Sequence, residues 1–287
     1  MKLMCFGMGF SAKALLARLP DAEVVATARS EESAQALDAL GIETVPFDAT
    51  GPLPDDALDG VTHVLASIPP DDAGDPVVRH CGAQLRAARN LQWAGYLSTT
   101  GVYGDRQGGW VDETAELRPA GQRGERRVKA ERDWLDLFDG ADRPAVQVFR
   151  LAGIYGPGRS QFRALREGKA RRLVKQGQVF SRIHVNDIAA ILKASIEHPR
   201  AGGIYNVCDD LPAPPQDVVA FAADLLGMDP PPEVAFEEAD LSPMARSFYG
   251  ENKRVSNDLI KRELGVTLEF PTYREGLRAV LAEERSG

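Results

Sequence analysis

Only three cysteines occur in 287 residues, and Cys5, Cys81 and Cys208 lie far apart with no Cys-x-x-Cys pair. That spacing does not build a disulfide framework; it fits a reducing compartment, with Cys5 as a small core hydrophobe. Long apolar runs are missing too, since none approaches the ~18 residues of a membrane span. No basic segment with a cleavage site precedes the first strand, so no signal peptide and a cytoplasmic location are expected. Positive charge is not in excess: the formal net charge is −8, which does not favour a nucleic-acid partner. There are four histidines, and His63, inside a strand pattern, has no second histidine at metal-ligand spacing. No metal is expected. What is present, 44% hydrophobic and 26% charged residues, describes a globular chain able to bury a core. Its length suits one large α/β domain or a nucleotide-binding domain with a smaller lobe.

The most informative stretch is the first. Lys2-Leu-Met-Cys-Phe6 is long enough for a buried strand and runs into Gly7-Met8-Gly9-Phe10-Ser11-Ala12. Ala14, Leu15, Leu16 and Leu19 then recur at helical spacing up to Pro20. Strand, glycine turn and helix in this order open a dinucleotide-binding unit. Gly7 permits the tight turn, Gly9 lets backbone approach a pyrophosphate, and Ala12 takes the third glycine's place where helix packs on strand. The start of the helix offers free N–H groups to phosphates.

Glu23 to Thr27 reads as the second strand, and its end bears on cofactor choice. An NAD site usually has an acidic residue there for the ribose 2′-hydroxyl. This chain has Ala28-Arg29-Ser30. Arg29 can fork onto a 2′-phosphate with Ser30 beside it, which favours NADP over NAD. The plainer reading is an exposed arginine before a helix that Ser30 caps, with Glu31 and Glu32 in its first turn. A helix over 31–40 and strands over 43–47 and 61–66 follow, the last ending at Ser67-Ile68-Pro69. The carboxyl ends of such strands face the ligand, so Gly7, Arg29 and Ser67 share a rim. A helix over about 75–90 leads to the strand starting at Trp93.

Leu97-Ser-Thr-Thr-Gly-Val-Tyr-Gly104 is followed by Arg150-Leu-Ala-Gly-Ile-Tyr-Gly-Pro-Gly-Arg159, Arg182-Ile-His-Val-Asn-Asp187 and Ile204-Tyr-Asn-Val207. In this order the segments resemble the extended short-chain dehydrogenase/reductase superfamily of NAD(P)-dependent epimerases and dehydratases. The resemblance implies a Rossmann-like doubly wound parallel sheet with a smaller C-terminal α/β lobe closing over substrate. Residues 1–159 would form the NAD(P)-binding domain and 160–287 the lobe, with parts of 180–208 returning to the main sheet. It also implies a Tyr-x-x-x-Lys pair on the helix after Val-Tyr-Gly, and this helix has none. Registering Ala130-Glu131 on the family's Ala-Glu puts Arg123 at the tyrosine and Arg127 at the lysine position. Keeping Lys129 instead puts Glu125 at the tyrosine position.

An arginine stays protonated near neutrality and moves no proton, though it can hold ribose, amide or substrate oxygens. Arg123, Arg127, Ala130, Trp134 and Phe138 share one helix face. Its apolar part must be buried, which turns Arg127 toward the ligand; a solvated basic first turn is the alternative. Thr99 falls at the family's hydrogen-bonding Ser/Thr, against a strand-end hydroxyl bonded to backbone. The resemblance places the strand before that helix at the substrate, so Arg182 and His184 are candidates, His184 being the histidine placed to titrate near neutrality; Asn186 or Asp187 caps the helix over 188–197. Tyr249-Gly-Glu-Asn-Lys253 satisfies Tyr-x-x-x-Lys literally but lies in the lobe. The loop over 105–119 reads as a rim segment with Trp110 as a plug, and the basic stretch 161–175 as a solvated helix and hairpin.

The candidate catalytic residues are therefore Thr99, Arg127 and His184. The candidate cofactor residues are Gly7, Met8, Gly9, Phe10, Ser11, Ala12, Arg29, Ser30, Ser67, Ile68, Pro69 and Thr99. The resemblance implies oxidoreductase, epimerase or dehydratase chemistry on a small or nucleotide-linked carbonyl or alcohol, with an anionic substrate and a homodimer both open. The rival expectation is a non-catalytic NADP(H) sensor acting through a protein partner.

Overall fold

Seven strands run parallel in the central sheet of the computed structural model, which describes residues 1–138, 140 and 143–286. In chain order the strands are β1 (Lys2–Phe6), β2 (Glu23–Ala28), β3 (Glu43–Pro46), β4 (His63–Ala66), β5 (Trp93–Thr99), β6 (Trp110–Val111) and β7 (Ala145–Leu151). Then come β8 (Gly153–Tyr155), β9 (Arg172–Val174), β10 (Arg182–His184), β11 (Gly203–Val207), β12 (Glu233–Ala235) and β13 (Arg254–Val255). The helices are α1 (Phe10–Leu16), α2 (Glu31–Asp38), α3 (Pro76–Ala87), α4 (Gln122–Leu135) and α5 (Gln161–Arg166). After these come α6 (Val185–Glu197), α7 (Pro215–Leu225), α8 (Pro243–Phe248), α9 (Asp258–Leu264) and α10 (Tyr273–Ser286).

The sheet order is β11-β7-β5-β4-β1-β2-β3. Chain order reverses between β1 and β4, the crevice where doubly wound sheets bind ligands. The fold is thus Rossmann-like, as the glycine motif and the family resemblance imply. Both faces are covered, so the strands read as nearly unbroken apolar runs. In β1, Leu3 and Cys5 pack into one core and Met4 and Phe6 into the other, following the two-residue period of a strand. Ala12 and Leu15 of α1 join the first core beside Ile188 and Leu192 of α6. A larger residue at 12 would push the two helices apart. His63, on β4, is buried with its Nδ1 2.8 Å from Thr62 Oγ1, a structural strand residue as expected.

β11 comes from the second half of the chain and pairs with β7 at the sheet edge. The smaller lobe has its own core, in which Phe162, Leu165, Val218, Tyr273 and Leu277 pack together. Three two-stranded pairings lie outside the central sheet, β8 with β10, β9 with β12 and β6 with β13, and the last of them packs with Val102 and Tyr103 in a core of its own. The basic stretch over 161–175 is tied down on the surface: Arg163 pairs with Glu167, Arg166 with Glu284 and Arg172 with Glu233. Among the described residues, no helix is long and apolar enough to cross a membrane.

Beside the sheet lies a buried polar cluster. Arg150, on β7, forks onto Glu131 of α4 with Nη2–Oε2 at 2.7 Å, both side chains 3% exposed. Ser98 Oγ donates to Glu131 Oε1, and Arg150 Nη1 donates to the Tyr103 hydroxyl at 2.9 Å. That hydroxyl donates onward to Asn206 Oδ1 at 2.7 Å. A charge pair this deep is tolerated because its hydrogen-bonding capacity is met. Tyr103 is structural, as its motif position suggested, and Glu131 locks the register of α4.

Candidate active site

One cleft of about 1010 Å³ opens at the carboxyl ends of β1, β4, β5 and β7. Gly9 to Ala12 follow β1, Ser67 follows β4, Leu97 to Thr100 end β5, and Leu151 to Tyr155 run from β7 into β8; all line it. α4, β10 and the 247–255 segment of the lobe close the other sides.

Gly7 has φ +85, and its N–H donates to Thr27 Oγ1 at 3.0 Å. A Cβ here would sit 2.9 Å from Ser67 Oγ. Ser67 Oγ itself donates to the Gly7 carbonyl at 2.9 Å. These contacts hold the turn tightly against β2 and β4. At Gly9 a Cβ would meet nothing within 4 Å, because the backbone faces open cleft. A bare main chain bordering a void is what close approach of a pyrophosphate requires. The residues present therefore fit a dinucleotide.

The sequence-derived cofactor residues divide by position. Gly9, Phe10, Ser11, Ala12, Ser67 and Thr99 line the cleft, whereas Gly7, Met8, Ile68 and Pro69 do not. Arg29 and Ser30 follow β2 on the same rim, outside the cleft. Arg29 is exposed, and Ser30 caps α2 by accepting from the Ser33 N–H in a capping box.

α4 turns two arginines to the site. Arg127 Nη1 donates to the Leu97 carbonyl at 2.5 Å and to the Tyr96 hydroxyl at 3.1 Å. Arg123, one turn earlier, stands over the exposed Phe248 ring with its Cζ 5.6 Å from the centroid. Both line the cleft, while Glu125, of the other register, is exposed and does not. Thr99 also lines it, but its Oγ1 accepts from the Gly101 N–H at 3.2 Å as the cap of a short helical turn.

Three expectations need correction. His184 does not line the cleft: it is 2% exposed, wedged against Phe270 (4.1 Å between centroids) and Tyr155 (5.2 Å). Burial pushes its pKa down to about 4, so it is neutral across the physiological range. It also replaces Asn186 and Asp187 as the cap of α6, accepting from the Asn186 N–H at Nδ1; Asp187 instead receives the Glu269 and Phe270 N–H groups. Trp110 does not plug the cleft. It is 62% exposed on β6 and borders a separate cavity of about 530 Å³ with Asp209, Asp210 and Lys261.

Of the literal Tyr-x-x-x-Lys, Tyr249 does not line the cleft: its ring stacks on Phe236 (4.9 Å) and meets Phe180 edge-on (5.4 Å). The motif's Lys253 does reach the cleft, paired there with Glu251. The sequence marks Tyr155-Gly-Pro-Gly-Arg159 as a turn bordering the substrate side, and both of its end residues line the cleft; Lys253 and Tyr273, which also line it, carried no such signal. The described lining contains no histidine and no cysteine.

No family model matches the chain. Protein YeeZ of Escherichia coli (strain K12) is 33% identical over 178 residues, covering 61% of this chain and 58% of YeeZ. The chain thus matches little more than half the length of that curated relative. A functionally unknown conserved protein from Silicibacter pomeroyi DSS, of solved structure, is 50% identical with a TM-score of 0.90, covering 99% of both chains. The chain belongs to that protein's family. A proposed NAD-dependent epimerase/dehydratase from Methylobacillus flagellatus is 25% identical with a TM-score of 0.72, over 99% of this chain and 98% of that one. The dTDP-glucose 4,6-dehydratase of Bacillus anthracis str. Ames, solved in complex with NAD, shares the fold at 16% identity and a TM-score of 0.79, over 100% and 97% of the two chains. The structural neighbours are therefore NAD-dependent epimerase/dehydratase-like proteins.

Proposed function

We propose that the chain binds a nicotinamide dinucleotide along the Gly7–Ala12 turn and acts as an oxidoreductase- or epimerase-type enzyme on a small carbonyl or alcohol. The observation that carries the reading is Gly9, a glycine with open cleft where its Cβ would be. It stands at the switch point of the sheet, and NAD-dependent neighbours share the fold. The dinucleotide would supply the hydride chemistry; the protein supplies orientation and electrostatics. Arg127, pinned to Leu97, is suited to holding ribose or amide oxygens, and Thr99 to bonding a carbonyl or hydroxyl. NADP is preferred over NAD in this reading, on the cation at Arg29 where an acidic residue would repel a 2′-phosphate.

One observation favours a second reading. α4 offers guanidinium groups, which hold but do not move protons, and no histidine or cysteine lines the described cleft. A non-catalytic NADP(H) sensor acting through a protein partner would keep binding and discard proton transfer. Calorimetric titration with NADPH and NADH, followed by a carbonyl screen for oxidation of the reduced nicotinamide, separates the two. Binding with turnover supports the enzyme, binding without turnover across the screen supports the sensor, and absence of binding overturns both.

A further inference from the structure

Carbonyl or alcohol chemistry in this cleft needs a side chain that can give up and regain a proton near neutrality. The charged residues lining it are Arg123, Arg127, Arg159, Arg182, Lys253 and Glu251. The four guanidinium groups stay protonated. Of the two phenols in the lining, Tyr155 is pushed up by burial and keeps its proton. The other, Tyr273, is 3% exposed, with its ring edge-on to Phe221 (5.6 Å) in the core of the lobe. Lys253 commits its ammonium to two acceptors, the Gly104 carbonyl at 3.0 Å and Glu251 Oε2. That leaves Glu251, the one carboxylate of the described lining.

The segment that carries Glu251 is fastened from two directions. The Glu251 carbonyl accepts from Gln178 Nε2 at 2.7 Å, and the Asn252 side chain accepts from the Val179 N–H (3.1 Å) and donates to the Gly177 carbonyl (3.0 Å). On the other side the Asn252 N–H donates to Asp105 Oδ1 at 2.8 Å. The Asn252 carbonyl accepts from the N–H groups of Arg106 and Gly108, both at 2.9 Å. Gly104, which Lys253 grips, ends the short helical turn over 100–103 that Thr99 caps. One lysine therefore joins the carboxylate to the turn that follows Thr99. The Lys253 side chain is 10% exposed and that of Glu251 25%, so the pair is sheltered without being sealed. Lys253 engages Oε2, and Oε1 takes no hydrogen bond among the described residues.

We propose that Glu251 is the proton-transferring residue of the cleft and that Lys253 positions it. The inference deepens the enzyme reading and rests on it. In alcohol oxidation the substrate O–H bond breaks and its proton passes to Glu251 Oε1. The O–H electron pair becomes the second carbon–oxygen bond as the carbinol C–H hydride leaves to the oxidised nicotinamide. Reduction runs the same bonds backward, with protonated Glu251 returning its proton to the oxygen that takes up the charge. A carboxylate from the lobe thus does the work of the phenol that α4 lacks, while Arg123 and Arg127 are left to bind.

The test is Glu251→Gln in the NADPH-dependent carbonyl screen, with NADPH affinity measured by calorimetry. Turnover should fall by at least ~100-fold while NADPH affinity and the thermal midpoint stay at wild-type values. Sodium formate, against sodium chloride of equal ionic strength, should restore part of the rate of Glu251→Ala, because a small carboxylate can take the vacated place. Lys253→Arg should keep more turnover than Lys253→Met, as a positioning cation requires. Glu167→Gln, on the outer surface where Glu167 pairs with Arg163, should match wild type. A second readout needs no turnover: carbodiimide coupling of glycine ethyl ester to carboxylates, followed by peptide mass spectrometry. Bound NADPH should slow labelling of Glu251 several-fold and leave Glu167 unchanged; should Glu251→Gln not fold cooperatively, this measurement on wild type still decides. Undiminished turnover in Glu251→Gln, or Glu251 labelling indifferent to bound NADPH, overturns the inference and leaves the dinucleotide site standing. Absence of NADPH binding overturns both, and binding without turnover across the screen overturns the inference in favour of the sensor.

Discussion

Arg127 is tied to the end of β5: its Nη1 donates to the Leu97 carbonyl at 2.5 Å, two residues before Thr99. One interaction thus fixes a cation on α4 and the last turn of the strand that presents the threonine. If the cation also holds the dinucleotide, Arg127→Met should weaken NADPH binding by about 1.5–3 kcal/mol, the worth of a charged hydrogen bond. Arg127→Lys should recover part of it, since lysine keeps the charge but not the fork. Calorimetry checks the affinity. Unchanged affinity with a lowered thermal midpoint would reduce Arg127 to a strut for β5.

The two turn glycines should respond in opposite ways. Gly7 needs its positive φ and has Ser67 Oγ 2.9 Å from where a Cβ would be. Gly7→Ala should therefore destabilise the fold by ~1–2 kcal/mol in urea denaturation. Gly9 has φ −83 and empty space around the Cβ position, so Gly9→Val should change stability by less than about 1 kcal/mol. The same valine would occupy the pyrophosphate's approach and abolish NADPH binding. A Gly9→Val protein that binds NADPH normally would move the dinucleotide elsewhere.

The buried pair Arg150–Glu131 is a stability device, with a measurable contribution. Glu131→Gln leaves a guanidinium that is 3% exposed without its charge partner, and should destabilise by about 3 kcal/mol. Replacing both residues together with apolar side chains of similar volume should recover much of that loss. A double-mutant cycle in urea reads the coupling directly. Near-equal stability of Glu131→Gln and wild type would contradict the burial of the pair.

Much of this architecture could be read from the chain because local and tertiary signals agree there. The glycine turn falls between an apolar run and an amphipathic helix, and doubly wound sheets repeat that grammar strand after strand. The inward turn of Arg127 was also legible, since Ala130 and Trp134 on the same face had to be buried. What sequence could not supply was the environment of single polar side chains. His184 has the motif position of a titrating group, yet aromatic rings from β8 and the 270 region, remote in sequence, pack it dry. Arg182 is legible as a candidate from its strand's place in the family pattern, whereas Lys253 comes from a separate part of the chain and only folding brings it to the same cleft. Spacing carries no information about such encounters.

Opposed pH dependences should follow from two buried groups. His184 has its pKa lowered from 6.5 to about 4 by burial, so the unfolded chain takes up its proton first. Stability from this group is full above the unfolded value and falls as pH drops from about 6.5 toward 4, by on the order of 2 kcal/mol. His184→Asn keeps a good cap for α6 and should flatten that acid limb. Asp209 behaves in the reverse sense, its pKa raised from 3.8 to about 8 by burial. The folded chain then holds the proton longer, so stability is full below about 4 and falls as pH rises through 8. Asp187, raised to about 6, adds to the same trend over a narrower range. Asp209→Asn should flatten the alkaline limb and exceed wild type in stability at pH ~8.5, by ~1–3 kcal/mol. Urea midpoints across the pH range resolve the limbs. If Asp209→Asn is less stable than wild type at high pH, the carboxylate is ionised in the fold as a counter-ion to Arg182.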